Sequence, residues 1–450
     1  MVSLAAIAAG LLVIAGLGFL VSLFLKGSLS GGQKTAAGTS AQEATLQNTQ
    51  GDVSDGDETD PGADSGALPG TGDGDQFDAP SSSGDNGGIG EDLDAAGSQQ
   101  IDPETEAKID GLLSSLSVEQ KAAQLFFITP EQLTGVEQVT AAGEMTKAAY
   151  EKNPVGGLIY FASNFEDPDQ TKEMLKNMQT YATQATGGIP VFLGVDEEGG
   201  KVERIASNPA FGITSAGSAA EHQSEQDAKA AGEKIGEYLK EYGLNVDFAP
   251  VADVLSNPEN SVIGPRSFGE DPEQVKTLAK AYSDGLHAAG IKSTYKHFPG
   301  HGATKDDTHE GTAYTDKSKE ELAACDLIPF ADAQTAGTDF VMVSHITLPT
   351  VLEDDTPCSL SEKMITGCLR NELGYQGIVI TDSFTMGAIT QHYSAGDAAV
   401  KAILAGADMI LMPEDYETAY QAVLSACKNG QIPEARLNEA LRHILRCKLT

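Results

Sequence analysis

Five short stretches of the chain hold residues able to do chemistry. They read VDEEGGKVERI, with Asp196 and Arg204; SVIGPRSFGEDP, with Arg266; YKHFPGHGATKDDTH, with Lys296, His297, His301, Asp307 and His309; SHI, with His345; and TDSFTMGAI, with Asp382. A carboxylate in such a set can attack an electrophilic carbon, stabilise positive charge or accept hydrogen bonds. An imidazole, with its ordinary pKa near neutrality, can give and take a proton at physiological pH. Asp307 and His309 lie two residues apart, so their side chains can meet if the backbone turns between them. Plain structural readings stand beside each of these. Asp382 could cap a helix starting near Phe384, and KDDTHEGT could be a polar surface turn. Arg204 could pair with Glu198 or Glu203, and His345 could be a satisfied buried histidine. His301 sits in the turn GHG, where Gly300 and Gly302 permit backbone angles that other residues resist, and a structural role is expected for it. No HxxEH-like cluster, P-loop or dinucleotide fingerprint occurs, so neither a metal nor an organic cofactor is expected.

The elements that must position these residues alternate in kind. Eight apolar runs read as strands: Ala123–Thr129, Gly156–Phe161, Val191–Val195, Val246–Val251, Ile291–His297, Phe340–His345, Gly377–Thr381 and Met409–Met412. Between them lie amphipathic stretches with helical spacing, Gln170–Thr186, Glu225–Tyr242, Pro272–Ala289, Lys317–Ala336 and Ser361–Leu373, and a terminal helix over Glu434–Leu449. Order begins near Ile101, where Asp102, Pro103 and Glu104 read as a helix start ahead of Ile109, Leu112, Leu113 and Leu116. Strand–helix alternation implies parallel pairing through right-handed crossovers. Eight such units favour an α/β fold of one closed (β/α)8 barrel over the alternative, an open doubly wound sheet. In such a barrel the working residues gather beyond the C-terminal ends of the strands. The five polar stretches follow runs three to seven, as that rule requires.

Those stretches also resemble glycoside hydrolase family 3. KHFPGHG followed by Asp307, Thr308 and His309, together with VDEEGG, GPRSFGEDP and ITDSFTMGAI, is similar to the bacterial β-N-acetylglucosaminidases (β-N-acetylhexosaminidases) of that family, and the likeness runs through residues 105–450. The resemblance implies a retaining, exo-acting hydrolase of terminal β-linked N-acetylglucosamine, chiefly in cell-wall muropeptide fragments. By it, Asp382 is the nucleophile that attacks the anomeric carbon, and His309 is the acid/base, oriented by Asp307. Asp196, Lys296, His297 and Arg266 hold the sugar, with Arg204 and His345 in the same ring of residues. Three other functions fit parts of this picture. A β-glucosidase of the same family would take its acid/base carboxyl from another domain. A phosphorylase would use the histidine donor with phosphate in place of water. A non-catalytic carbohydrate-binding barrel would have to lack Asp382 or His309, and both are present.

Composition sets the surroundings. The formal net charge is −37, and residues 1–100 hold 14 Asp/Glu against two lysines, Lys26 and Lys34. Such acidity excludes a nucleic-acid partner, because a phosphate backbone would be repelled. From Val2 to Leu25 every residue is apolar, Gly or Ser; at 1.5 Å per residue this run spans about 36 Å, enough to cross a hydrocarbon core. Residues 1–26 are therefore expected to be a single-pass transmembrane anchor rather than a cleaved signal peptide, which has a basic start and a shorter apolar core. Residues 27–100, rich in Gly, Ser and Asp, cannot bury enough apolar surface to order themselves and are expected to be a disordered tether. Residues 101–450 form the catalytic domain. Lys26 and Lys34 flank the anchor on the side that positive charge holds in the cytoplasm; a wall-derived substrate argues instead for a catalytic domain outside the cell membrane. Five widely spaced cysteines without a CxxC pair indicate isolated thiols rather than a disulfide framework.

Overall fold

The computed structural model describes residues 102–304, 308 and 311–450. The expected anchor and tether, and the pair Asp307 and His309, lie outside the described residues. No helix among the described residues is long and apolar enough to cross a membrane.

A strand falls on every one of the eight apolar runs, the fifth extending one residue past its run: β1 Phe126–Ile128, β2 Gly157–Ile159, β3 Phe192–Val195, β4 Val246–Asp247, β5 Thr294–Phe298, β6 Phe340–Val343, β7 Ile378–Thr381 and β8 Ile410–Leu411. All are buried along their length, as parallel strands covered on both faces must be. They pair in parallel as a five-stranded sheet in the order β4-β3-β2-β1-β8 and a three-stranded sheet in the order β5-β6-β7. Continuous pairing around a single ring, as the sequence led us to expect, is not recorded. What joins the two sheets is narrower. Val246 bridges Lys292 and Val251 bridges Lys296 at the β4/β5 seam, and Ile380 bridges Met409 at the β7/β8 seam. Backbone hydrogen bonds such as Asp247 N–H to Lys292 O (2.9 Å) and Thr381 N–H to Met409 O (3.1 Å) cross these seams.

The space between the strands is filled by aromatic rings. Phe127, Phe192, Phe248 and Phe340 are fully buried, and their centroids lie 5.1–6.3 Å apart in successive pairs. Room for Phe127 comes from Gly157 and Gly194, where a Cβ would stand 2.4 and 2.8 Å from its ring. Facing small and large residues thus bring the interior to packed density.

Helices start where the chain supplies caps. Asp102 accepts from the amides of Glu104 and Thr105 at the head of Pro103–Ser115, and Asp271 and Ser224 do the same for Pro272–Ala289 and Glu225–Tyr242. The last two helices touch backbone to backbone. A Cβ on Gly232 would stand 2.1 Å from Tyr282 O and one on Gly285 2.2 Å from Lys229 O, so only glycine allows the contact. Two expectations need correction. The stretch Lys317–Ala336 is not one helix but two short turns, Lys319–Ala323 and Ile328–Ala331. Pro329 accounts for the break: it lacks an N–H, and its ring crowds the preceding turn. The stretch Ser361–Leu373 winds more loosely, with Leu373 N–H bonding Cys368 O five residues back. Its ten helical residues are too few for the apolar period to separate the two windings.

At the N-terminal end of β8, Asp408 ties the strand core to the terminal helix Glu434–Leu449. It is fully buried and receives Arg436 Nη2 (2.9 Å), His443 Nδ1 (3.0 Å), Val379 N–H (3.0 Å) and Arg370 Nη2 (2.5 Å). Burial opposes its charge, but His443 and the two guanidinium groups prevail and hold its carboxyl well below the usual range. All five cysteines are free thiols.

Candidate active site

The C-terminal ends of the strands surround a cavity of about 370 Å³. Asp196 leaves β3, Arg204 follows in the same loop, Lys296 and His297 belong to β5, and Asp382 leaves β7; all five line the cavity, together with Arg266. Its apolar side is made by Ile159, Phe161, Met342, Leu411 and Met412. A cavity of this size with convergent polar groups on an apolar lining is what small-ligand sites offer.

Its electrostatic centre is Lys296. The side chain is 2% exposed, and Nζ stands 2.7 Å from Asp196 Oδ1 and 2.6 Å from Glu198 Oε1. Burial works against the ammonium charge, yet Asp196 and Glu198 hold its pKa above the ordinary lysine value. Glu198 in turn is gripped by Arg266, which donates Nε and Nη2 to its two oxygens at 2.8 Å each. This fork-on-fork geometry is the strong form of an Arg–carboxylate pair. Burial would raise the Glu198 pKa, but Lys296 and Arg266 outweigh it and keep the carboxylate ionised far into acid.

His297 is fixed from behind. Its Nδ1 stands 2.7 Å from Asp253 Oδ2, and its backbone N–H donates to Asp253 Oδ1 at 3.1 Å. Because the carboxylate only accepts, the hydrogen sits on Nδ1, and Nε2 is left facing Arg266 Nη2 at 3.5 Å. Asp253 also receives the His301 N–H at 2.6 Å. Its burial is opposed by His297, which holds the Asp253 pKa below its usual value. The peptide bond between Lys296 and His297 is cis.

Asp382 is held through its backbone, whose N–H donates to Val343 O at 2.8 Å, and its Oδ1 accepts from Ser383 N–H at 2.7 Å. The next helix begins at Gly387 with Met386 at its cap position, so Asp382 does not cap it. Arg204 lies over the Phe161 ring, 5.9 Å from its centroid, with its Nε buried and without a hydrogen-bond partner. Its expected alternative partner, Glu198, is taken by Lys296 and Arg266. Behind the loop, Glu197 accepts the amides of Arg204, Ile205 and Ala206 and the hydroxyl of Tyr238, which fixes where Arg204 stands.

One histidine differs from expectation in position. His345 does not line the cavity; its Nδ1 meets Ser359 Oγ at 2.8 Å and its Nε2 meets Ser383 O at 2.9 Å. It therefore supports the segment after Asp382 from beneath rather than joining the ring around the cavity. His301 does line the cavity, and its ring nitrogens meet the hydroxyls of Thr304 (3.0 Å) and Thr308 (3.3 Å). Burial first, and then the charge of His297, depresses its pKa, so it stays neutral. It anchors Thr308, which also lines the cavity and whose neighbours in sequence are Asp307 and His309. Glu198 and Asp253 are the site residues that the sequence reading did not single out. The first was visible as a charged residue in VDEEGG, but its partners lie 68 and 98 positions further along the chain.

A family profile described as glycosyl hydrolase family 3 N terminal domain matches residues 117–447. A protein of Pseudoalteromonas piscicida named beta-hexosaminidase A is 33% identical over 317 residues; the match covers 65% of this chain and 53% of that protein, so the chain spans about half of that relative's length. A beta-hexosaminidase of Tolumonas auensis is 35% identical, with 64% of this chain and 83% of that one covered. Among solved structures, a glycoside hydrolase family 3 beta-N-acetylglucosaminidase from Paenibacillus superposes with a TM-score of 0.68 at 34% identity, over 74% of this chain and 62% of that chain. A beta-N-acetylhexosaminidase from Beutenbergia cavernae gives 0.66 at 28% identity, over 75% and 99%.

Proposed function

The chain belongs to glycosyl hydrolase family 3, and we propose that it is a retaining, exo-acting β-N-acetylhexosaminidase that removes terminal β-linked N-acetylglucosamine. The observation that carries this reading is the cavity itself. Asp382 stands on the same lining as the interlocked set Asp196, Glu198, Arg266, Lys296 and His297, at the strand ends where this architecture places its chemistry. In the first step an Asp382 oxygen bonds to the anomeric carbon while the glycosidic C–O bond breaks. His309, oriented by Asp307, gives its proton to the departing oxygen. In the second step His309 takes a proton from water, the hydroxide oxygen bonds to the anomeric carbon, and Asp382 leaves as carboxylate. Asp196 and the Lys296 ammonium meet the sugar hydroxyls; their mutual pairing presents an acceptor and a donor already oriented, so little ordering is left to binding.

The two sheets and their bridged seams are read here as one closed eight-stranded barrel, supported by the parallel bridges at both seams and by the filled aromatic interior. Residues 1–26 are proposed as a membrane anchor and 27–100 as a tether that lets an extracellular catalytic domain reach peptidoglycan-derived fragments. The length and apolarity of Val2–Leu25 support this. The test of function is release of the chromophore from an aryl N-acetyl-β-glucosaminide beside the matching β-glucoside, with and without phosphate. Turnover of the first alone, indifferent to phosphate, is expected; preference for the glucoside or dependence on phosphate would overturn the reading.

A further inference from the structure

Two carboxyl groups that no step of the mechanism uses, Glu197 and Asp247, are fully buried behind the segment that leaves β3. Glu197 separates Asp196 from Glu198, whose side chains both pair with Lys296, while its own side chain turns away from the cavity. Its two oxygens receive four donors: the amides of Arg204, Ile205 and Ala206 and the Tyr238 hydroxyl. Its backbone N–H donates to Asp247 Oδ1, on the neighbouring strand β4, at 3.0 Å. The Tyr282 hydroxyl stands 3.3 Å from the carbonyl oxygens of both Glu197 and Glu198. Tyr238 and Tyr282 come from the helices Glu225–Tyr242 and Pro272–Ala289, whose backbones touch at Gly232 and Gly285, so one packed pair delivers both hydroxyls.

The two carboxyl groups are served differently. Glu197 is surrounded by donors, as an ionised carboxylate requires. Asp247 receives the one amide on Oδ1, and its Oδ2 is buried without a hydrogen-bond partner. A bare anionic oxygen there would be an uncompensated buried charge, far costlier than a neutral hydroxyl. The groups around Asp247 give little relief. Glu197 and Asp196 are anions, Tyr238 and Tyr282 are phenols, and the Lys296 ammonium on β5 is already shared between Asp196 and Glu198. Burial above all, helped by the charges of Glu197 and Asp196, pushes the Asp247 carboxyl well above the ordinary carboxylate range; the Glu197 N–H and Lys296 oppose this only in part.

We propose that Asp247 is a positioning residue for the segment Asp196–Glu198 and that it works as the neutral acid, Oδ1 accepting the Glu197 N–H while Oδ2 keeps the proton. The proposal rests on the functional reading above, in which Asp196 and Lys296 meet the sugar. Asp247 itself does not line the cavity. It pins the chain at the residue between Asp196 and Glu198, so that both side chains reach Lys296 with little freedom left to lose on binding. A neutral group does this without setting a further anion against the balanced charges in front of it.

The test compares Asp247→Asn and Asp247→Ala with wild type in the full chain. Asparagine keeps the acceptor and resembles the protonated acid, so KM for an aryl N-acetyl-β-glucosaminide should stay within about threefold of wild type. Alanine removes the acceptor and should raise KM about tenfold, with kcat per folded molecule falling less. A residue that served stability alone would leave the KM of the folded molecules unchanged. Stability reports the proton. The pKa of Asp247 in the folded chain lies above its ordinary value of 3.8, so its contribution is complete below that pH and is lost as pH rises. Asp247→Asn should therefore unfold at a higher denaturant concentration than wild type at about pH 7, and the gap should narrow toward about pH 4. A lower midpoint for Asp247→Asn at neutral pH overturns the neutral acid. An alanine variant with KM within twofold of wild type overturns the positioning role. If alanine does not fold, Asp247→Ser, whose hydroxyl is one bond too short to reach the amide, is held to the same KM criterion. A wild type that leaves the substrate uncleaved overturns the hydrolase reading and the positioning of a sugar site with it, while the denaturant comparison still decides where the proton sits.

Discussion

Lys296 Nζ stands 2.6 Å from Glu198 Oε1, and the two side chains are 2% and 5% exposed. Two charges so placed are costly to bring out of water and bind strongly only because each is also held elsewhere, Lys296 by Asp196 and Glu198 by Arg266. The unit is balanced, the cations Lys296 and Arg266 against the anions Glu198 and Asp196, so loss of any member leaves a charge without its counterpart. The arrangement keeps the ammonium fully protonated and aimed at the cavity.

Replacing Glu198 with glutamine should therefore do two things. It should lower stability by about 3 kcal/mol, the scale for breaking a buried pair from one side, seen as a reduced midpoint in denaturant. It should also raise KM more than it lowers kcat, since the cation proposed to meet the sugar loses its fixed position. The pH dependence follows from the sign of the shift. The Glu198 pKa in the folded chain lies below its ordinary value of 4.5, so its contribution is present in full above that pH and is lost as pH falls below it. Stability of the wild type should fall more steeply on acidification below about pH 4.5 than stability of Glu198→Gln. Parallel acid curves would contradict this.

Asp408→Asn probes the opposite end of the strands. It leaves Arg370 and Arg436 facing a neutral amide in a fully buried position. The expected cost is about 3–5 kcal/mol. Turnover per folded molecule should remain that of wild type, because no part of the network reaches the cavity. Chemical denaturation beside active-site titration separates the two effects.

How far the sequence carried this reading depends on the range of the contact. The strands were legible because buried parallel strands are continuous apolar runs, and a strand falls on each of the eight runs. The helices Glu225–Tyr242, Pro272–Ala289 and Glu434–Leu449 match their expected bounds residue for residue, since caps and glycine stops are local signals. The site was legible as five polar strand ends. What the sequence could not supply was which of those groups meet. Glu198 reads as a possible partner of Arg204, six residues away, yet it meets Arg266 and Lys296; Asp253 reads as a polar residue in a loop, yet it holds His297. Those pairings follow from where β3, β4 and β5 sit beside one another. His345 failed as a cavity residue for the same reason, since the strand end fixes its level but not the direction of its ring.

His309→Ala should penalise substrates by how much their leaving group needs a proton. A sugar hydroxyl needs one, and an activated phenolate hardly does. General acid assistance is typically worth about 10²–10⁴-fold, so glycosylation by an oligosaccharide should fall by that order and glycosylation by a nitrophenyl substrate by much less. Asp307→Ala should give a milder copy of the pattern. Pre-steady-state rates on both substrates decide the matter; equal losses would place His309 in binding instead.

The most direct measurement is of the covalent intermediate. The protein is incubated with a 5-fluoro N-acetylglucosaminyl fluoride, whose ring fluorine slows hydrolysis of the glycosyl ester, and is then digested and analysed by mass spectrometry. If Asp382 is the nucleophile, the intact chain gains the mass of one fluorosugar, the adduct maps to the peptide holding Asp382, and Asp382→Asn gains nothing. An adduct on another residue, or steady turnover of the probe with no adduct at any time, would contradict the assignment and the retaining mechanism built on it.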